Sequence, residues 1–261
     1  MSEGRYILRE RQGEIAVLTL NNETANPFVP EMHAELSEVL EGLGRDDTVL
    51  GVVITGRGKF FSAGANISRM VEFDQTAARE FGEAGQRTFR ILEDSRFVTV
   101  AAVNGVAAGG GCELSLACDF RVASAKALFG QPEVNIGAIP GWGGCRRLTR
   151  VVGYPKALSL ILTGDLIPAE RALAIGLVES VVPEGESVLD AGLSLCRRVT
   201  ARSPRAISDA KRALRAGLEL GRAEAEAVEL QGFAAAFGRP DREEGMRAFL
   251  ERRPAAFSRK F

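Results

Sequence analysis

The chain has 261 residues, 46% apolar and 26% charged, with a net charge of −1 and a single histidine. Such a composition suits a globular protein with a large core, as one domain or one domain with an appendage. It gives no electrostatic reason for a nucleic acid or membrane surface as partner, and no apolar run reaches the roughly 18 residues of a membrane span.

The polar start MSEGRYILRERQGE holds no signal-peptide core, so a cytoplasmic protein is expected. Cys112, Cys118, Cys145 and Cys196 form no C-x-x-C pair and read as reduced, mostly buried thiols. The sequons at Asn22 and Asn66 then read as chance. Residues 200–261 are slightly basic, as solvated helix faces would make them.

Tyr6–Arg9 and Ile15–Leu20 read as strands around a Gln12-Gly13 turn. Residues 21–30 form a loop. Glu31–Leu43 has helical periodicity, with Met32, Leu36, Val39, Leu40 and Leu43 on one face. His33 falls on the opposite face, where a surface position is expected. Gly51–Gly56 is a buried strand and residues 57–67 a loop. Residues 73–94 are helical, with Phe73, Ala77, Phe81, Thr88, Phe89 and Leu92 near one face.

Val98–Val103 is a buried strand, and Asn104-Gly105 a turn. Gly109-Gly110-Gly111 precedes a helical pattern, so the triplet opens a helix and presents unpaired N–H groups at its positive end. Asp119–Ala123 and Leu128–Gly130 read as strands. Gly141-Trp142-Gly143-Gly144 opens another helix. The helix from Tyr154 stops at Thr163 with Gly164 as its cap, and Pro168 fits the first turn of a helix ending at Gly176. Leu177–Val182 reads as a strand. From Ser187 on the pattern is helical, with Ser203-Pro204 as an N-cap and first-turn pair. No fixed-length repeat is visible.

Several chemistries are excluded. Gly51–Lys59 has strand residues between its glycines and Phe60 after Lys59, so it is no phosphate loop. No G-x-G-x-x-G follows a strand, and no G-x-S-x-G occurs. One histidine and scattered cysteines give no metal-ligand spacing, so no metal site is expected. Two carboxylates remain near the glycine triplet: Glu113, just inside its helix, and Glu133, in Gly130-Gln131-Pro132-Glu133. Backbone donors for a developing negative charge beside two proton carriers suggest acyl activation.

Five segments together resemble the crotonase (enoyl-CoA hydratase/isomerase) superfamily. They are Lys59–Ile67 (KFFSAGANI), Ala101–Gly105 (AAVNG), Gly109–Glu113 (GGGCE), Phe129–Glu133 (FGQPE) and Ile139–Gly141 (IPG). The resemblance runs on through Arg147-Leu148 and Thr163-Gly164 to Glu244–Phe249, over nearly the whole chain. It implies an α/β fold, a spiral of ββα units over residues 1–200, followed by a helical trimerisation region at 201–261. It implies an acyl-CoA substrate, with coenzyme A part of the substrate and no separate cofactor, and a homo-oligomer, trimer or hexamer, without nucleic acid or membrane partners. The amides of Ala65 and Gly110 would form the oxyanion hole, and Glu113 and Glu133 would be catalytic. Ala63, Ala65, Asn66, Ile67, Ser68, Gly110, Pro132 and Gly141 would contact substrate.

Both glutamates are present, as in the family's hydratases, so hydration of a 2-enoyl-CoA to a 3-hydroxyacyl-CoA is expected. Open alternatives are an enoyl-CoA isomerase, a hydratase of dienoyl, branched or cyclic acyl groups, or a non-catalytic or RNA-binding member. Three positions depart from the usual pattern: Asn66 replaces an Asp, Ala25-Asn26-Pro27-Phe28 replaces an Asn-Ala-Leu-like motif, and Trp142 stands where a small residue is common.

Overall fold

The computed structural model describes residues 4–261. Strands and helices alternate over the first two-thirds, and helices fill the rest. The elements in order are β1 (Ile7–Gln12), β2 (Ile15–Leu20), α1 (Pro30–Arg45), β3 (Gly51–Gly56), β4 (Phe60–Ser62), α2 (Ile67–Met70) and α3 (Gln75–Glu93). Next come β5 (Val98–Val103), β6 (Val106–Ala108), α4 (Gly110–Ala117), β7 (Phe120–Ser124), β8 (Leu128–Gly130) and a 3-10 helix (Pro132–Ile136). Then follow α5 (Gly144–Val152), α6 (Tyr154–Thr163), β9 (Ile167–Pro168), α7 (Ala169–Ala174) and β10 (Ser180–Val182). The chain closes with α8 (Val188–Thr200), α9 (Pro204–Glu219), α10 (Arg222–Ala236) and α11 (Pro240–Glu251).

The strands form two sheets. One has the order β1-β2-β3-β5-β7-β10 and the other β4-β6-β8-β9. The pairs β3–β4, β5–β6 and β7–β8 each give one strand to each sheet and are followed by helix, which is the expected ββα spiral. Within each sheet these successive strands are parallel. The connections differ in length, which hides the repeat from the sequence.

β3 and β5 are apolar but for Thr55 and Thr99, because both faces are covered. Alternate residues serve different cores, as a period of two demands. Val52, Ile54, Ala101 and Val103 face a large cluster with α1, α3 and α4. Val53, Val98, Val100 and Ala102 face a smaller one with Leu193 and Cys196 of α8.

Several expectations need correction. β1 runs to Gln12, because its register with β2 pairs Gln12 with Ile15 across a tight turn at Gly13, φ +64°. The loop 57–67 contains β4, too short to show alternation. Pro168 lies in β9 and caps α7 with extended backbone, so it precedes the first turn. Only residues 180–182 of the strand expected at 177–182 pair, with β7. His33 is not on the surface. It is 1% exposed, stacked on Phe28 at 4.7 Å and edge-on to Trp142 at 4.5 Å. Trp142 and Phe81 cover the face of α1 that periodicity leaves polar.

Other expectations hold. Gly164 caps α6 in the left-handed region, φ +68°, and the Ser203 hydroxyl accepts from Ala206 N–H at 3.4 Å. Cys112, Cys118 and Cys196 are buried free thiols; Cys145 is free and exposed. Among the described residues no helix is long and apolar enough to cross a membrane.

Candidate active site

Three neighbouring parallel strands, β4, β6 and β8, deliver the candidate residues from their C-terminal ends, where such sheets commonly bind ligands. β4 leads into Ala63–Asn66, β6 into Gly109 and α4, and β8 into Gln131-Pro132-Glu133.

The first loop is held by an unusual partner. Phe28 N–H donates to Gly64 O at 2.7 Å, and Asn66 N–H donates to Phe28 O at 2.9 Å, a one-residue parallel bridge. Asn26 takes the left-handed conformation, φ +51°, which Asn tolerates better than most residues. Its buried amide nitrogen donates to Arg57, Phe60 and Phe61 carbonyls at 3.1, 3.0 and 3.2 Å. The departure at residues 25–28 thus braces the loop.

Gly64 has φ +94°, and a Cβ there would lie 3.1 Å from Gly110 N. Glycine lets the two loops approach. The Ala65 and Gly110 N–H groups find no acceptor among the described residues. Gly110 is the first residue of α4, where an N–H has no intrahelical partner. Both residues line one cavity of about 520 Å³, together with Glu113 and Glu133.

Glu113 is 1% exposed. Its Oε1 accepts from Trp142 N–H at 2.8 Å and Gly144 N–H at 2.7 Å. Burial pushes its pKa up to about 7; the Gly144 amide opposes the rise and the Glu133 carboxylate adds to it. Glu133, half-buried on the 3-10 helix, is also raised by burial. It borders Gly109, φ +51°, where a Cβ would come 3.0 Å from Glu133 Oε1. Two carboxylates on one cavity, both raised by burial, are suited to holding and passing a proton.

Of the other expected contact residues, Ala63, Ile67, Pro132 and Gly141 line the cavity. Asn66 and Ser68 do not: Asn66 Oδ1 caps α2, accepting from Arg69 N–H at 3.1 Å, and Ser68 is exposed on that helix. Asn accepts at an N-cap as well as Asp, so the substitution keeps the helix start.

Trp142 turns inward. A Cβ on Gly110 would lie 2.0 Å from its Cζ3, and one on Gly85 2.2 Å from its Cδ1. The indole fills the space left by two glycines of α4 and α3, donates to Phe81 O at 3.2 Å, and walls the cavity beside Gly110. Gly110→Pro, the natural way to delete that N–H, would drive its ring atoms into the indole.

Sequence reasoning missed the partners of the glutamates. With its carboxamide nitrogen turned toward Glu133, the buried Gln131 donates to both carboxylate oxygens at 3.0 and 3.3 Å. The donors to Glu113 come from Gly141–Gly144, whose glycine-rich helix start was the available signal. Among the described residues no group of three His, Cys, Asp or Glu side chains could hold a metal ion.

A family model described as enoyl-CoA hydratase/isomerase matches residues 10–260. A short-chain-enoyl-CoA hydratase of Clostridium acetobutylicum is 39% identical over 95% of this chain and 95% of its own. A crotonyl-CoA hydratase of Syntrophomonas wolfei is 40% identical, covering 97% of this chain and 98% of its own. The crystal structure of an enoyl-CoA hydratase from Bacillus anthracis superposes with a TM-score of 0.92 at 32% identity, covering 98% of this chain and 100% of that one.

Proposed function

Because this chain belongs to the enoyl-CoA hydratase/isomerase family and is an enzyme of the enoyl-CoA hydratase kind, we propose that it adds water reversibly to a 2-enoyl-CoA. The product is the 3-hydroxyacyl-CoA. The observation that carries this reading is the convergence of two unpartnered amides and two carboxylates on one cavity.

The Ala65 and Gly110 N–H groups donate to the thioester oxygen. As water adds at C3, negative charge moves onto that oxygen, and preorganised donors are worth most where charge develops. Ionised Glu113 takes a proton from the attacking water, and protonated Glu133 delivers one to C2. Mutual repulsion between two nearby carboxylates disfavours double ionisation, so the pair keeps one proton available to the reaction. In the reverse direction the roles exchange. Coenzyme A enters with the substrate, and no separate cofactor is proposed.

The Trp142 indole beside Gly110 favours a short acyl group, in keeping with the short-chain and crotonyl-CoA names of the two relatives. Mass spectrometry after incubation with crotonyl-CoA in ¹⁸O-water tests the reaction. The expected product is 3-hydroxybutyryl-CoA carrying the label at C3. An unlabelled 3-enoyl isomer formed from a 2-enoyl-CoA, with no hydrated product, would overturn the reading in favour of an isomerase.

A further inference from the structure

We infer that Arg147, anchored by Glu93, is a positioning residue for the Glu113 carboxylate and acts on it through the turn Trp142–Gly144. The inference rests on the role proposed for Glu113.

Arg147 lies in the first turn of α5 and is 5% exposed. Its Nη1 donates to Trp142 O at 2.6 Å. Its Nε and Nη2 donate to Glu93 Oε2 at 3.1 and 2.7 Å. Trp142 is therefore gripped at both ends: Arg147 holds its carbonyl, and its N–H holds Glu113. Between Trp142 and Gly144, the two donors to Glu113, stands Gly143 in the left-handed region, φ +101°. A Cβ there would lie 2.3 Å from Arg147 Nη1, so glycine admits both the turn and the guanidinium.

Glu93 closes the last turn of α3 and also pairs with Arg146 at 2.6 Å. The turn that grips Glu113 is thus referenced to the end of α3 by a partly buried, forked ion pair, whose geometry Lys cannot reproduce. With Oε1 held by two amides, Oε2 is left for the water.

Charge follows the same path. Glu113 is faced by Glu133 from the 3-10 helix, by Cys112 on its own helix, and by Cys145 and Arg147 from α5. Arg147 supplies positive charge behind the turn and so favours the ionised form of Glu113 that accepts the water proton. Taking it away raises the pH at which that form appears. A pair that merely staples α5 to α3 has no such consequence.

The test is the pH dependence of crotonyl-CoA hydration by Arg147→Met, Arg147→Lys and Glu93→Gln, each with its thermal melt. Arg147→Met is expected to lose about tenfold to a hundredfold in kcat, the cost of a small misplacement of a reacting group, with KM little changed. The acid limb of its kcat/KM profile moves to higher pH. Arg147→Lys keeps the limb in place, because it keeps the charge. Glu93→Gln, which frees Arg147 without removing it, lowers kcat. In a Glu113→Gln background, Arg147→Met costs little more, since both changes act on one carboxylate.

A folded Arg147→Met enzyme with an unmoved acid limb overturns the inference, as does a full, independent penalty in the Glu113→Gln background. If Arg147→Met does not fold, Glu93→Gln decides: unchanged kcat rejects the relay. If Glu113→Gln is crippled while the Arg147 and Glu93 variants behave as wild type, only the relay fails. If Glu113→Gln hydrates normally, the proposed role of Glu113 fails and the relay with it.

Discussion

At the scale of single residues, His33 shows what periodicity omits. It sits among Phe28, Phe81, Phe89 and Trp142, and neither ring nitrogen has a hydrogen-bond partner. Burial pushes its pKa down to about 3. Its unfolded value lies near 6.5, so between about pH 6.5 and 3 the unfolded chain binds a proton that the folded one refuses. The histidine therefore costs no stability above that window and an increasing amount as pH falls through it. His33→Phe, close in size, is expected to flatten the fall in melting temperature on the acid side of pH 6.5. An equally steep fall in the variant would mean that other groups carry it. The glutamates were legible, because GGG-C-E and Q-P-E place acids beside a helix start and after a strand. Their partners were not: the Trp142 and Gly144 N–H groups reach Glu113 across 29 and 31 positions of chain and follow no spacing rule.

At the scale of elements, mostly apolar runs such as Val98–Val103 were readable because burial on both faces leaves no alternation to confuse. β4, β6 and β9 have only two or three residues, too few for any period to register. β4 and β6 matter beyond their length, since together with β8 they aim the three loops of the site. Trp142 could be flagged from sequence as a large residue in a glycine-rich turn. Its direction could not, because it depends on Gly85 and Gly110 lying opposite each other on α3 and α4. Trp142→Ala is expected to cost about 3–5 kcal/mol of stability and to open the cavity wall. The ratio of kcat/KM for 2-octenoyl-CoA over crotonyl-CoA should rise roughly tenfold or more, given the worth of each methylene in an apolar pocket. An unchanged ratio would show that the acyl chain does not run against the indole.

At the scale of the molecule, the two-sheet spiral followed its motifs in order, while its ββα repeat was hidden by unequal connections. The C-terminal helices leave Leu214, Leu230, Phe233, Phe249 and Leu250 each more than half exposed. Exposed apolar side chains of this kind are commonly covered by association, and closed rings of identical chains are a common way to do it. We propose a homo-oligomer, and multi-angle light scattering should return a trimer or hexamer mass; a stable, active monomer would remove the proposal. The central claim, that two carboxylates on one cavity carry water and proton across the double bond, is tested most directly by kcat for crotonyl-CoA hydration in Glu113→Gln and Glu133→Gln. Each variant is expected to melt and assemble as wild type and to lose about 10²–10⁴-fold in kcat. Near-wild-type rates in both would contradict the account.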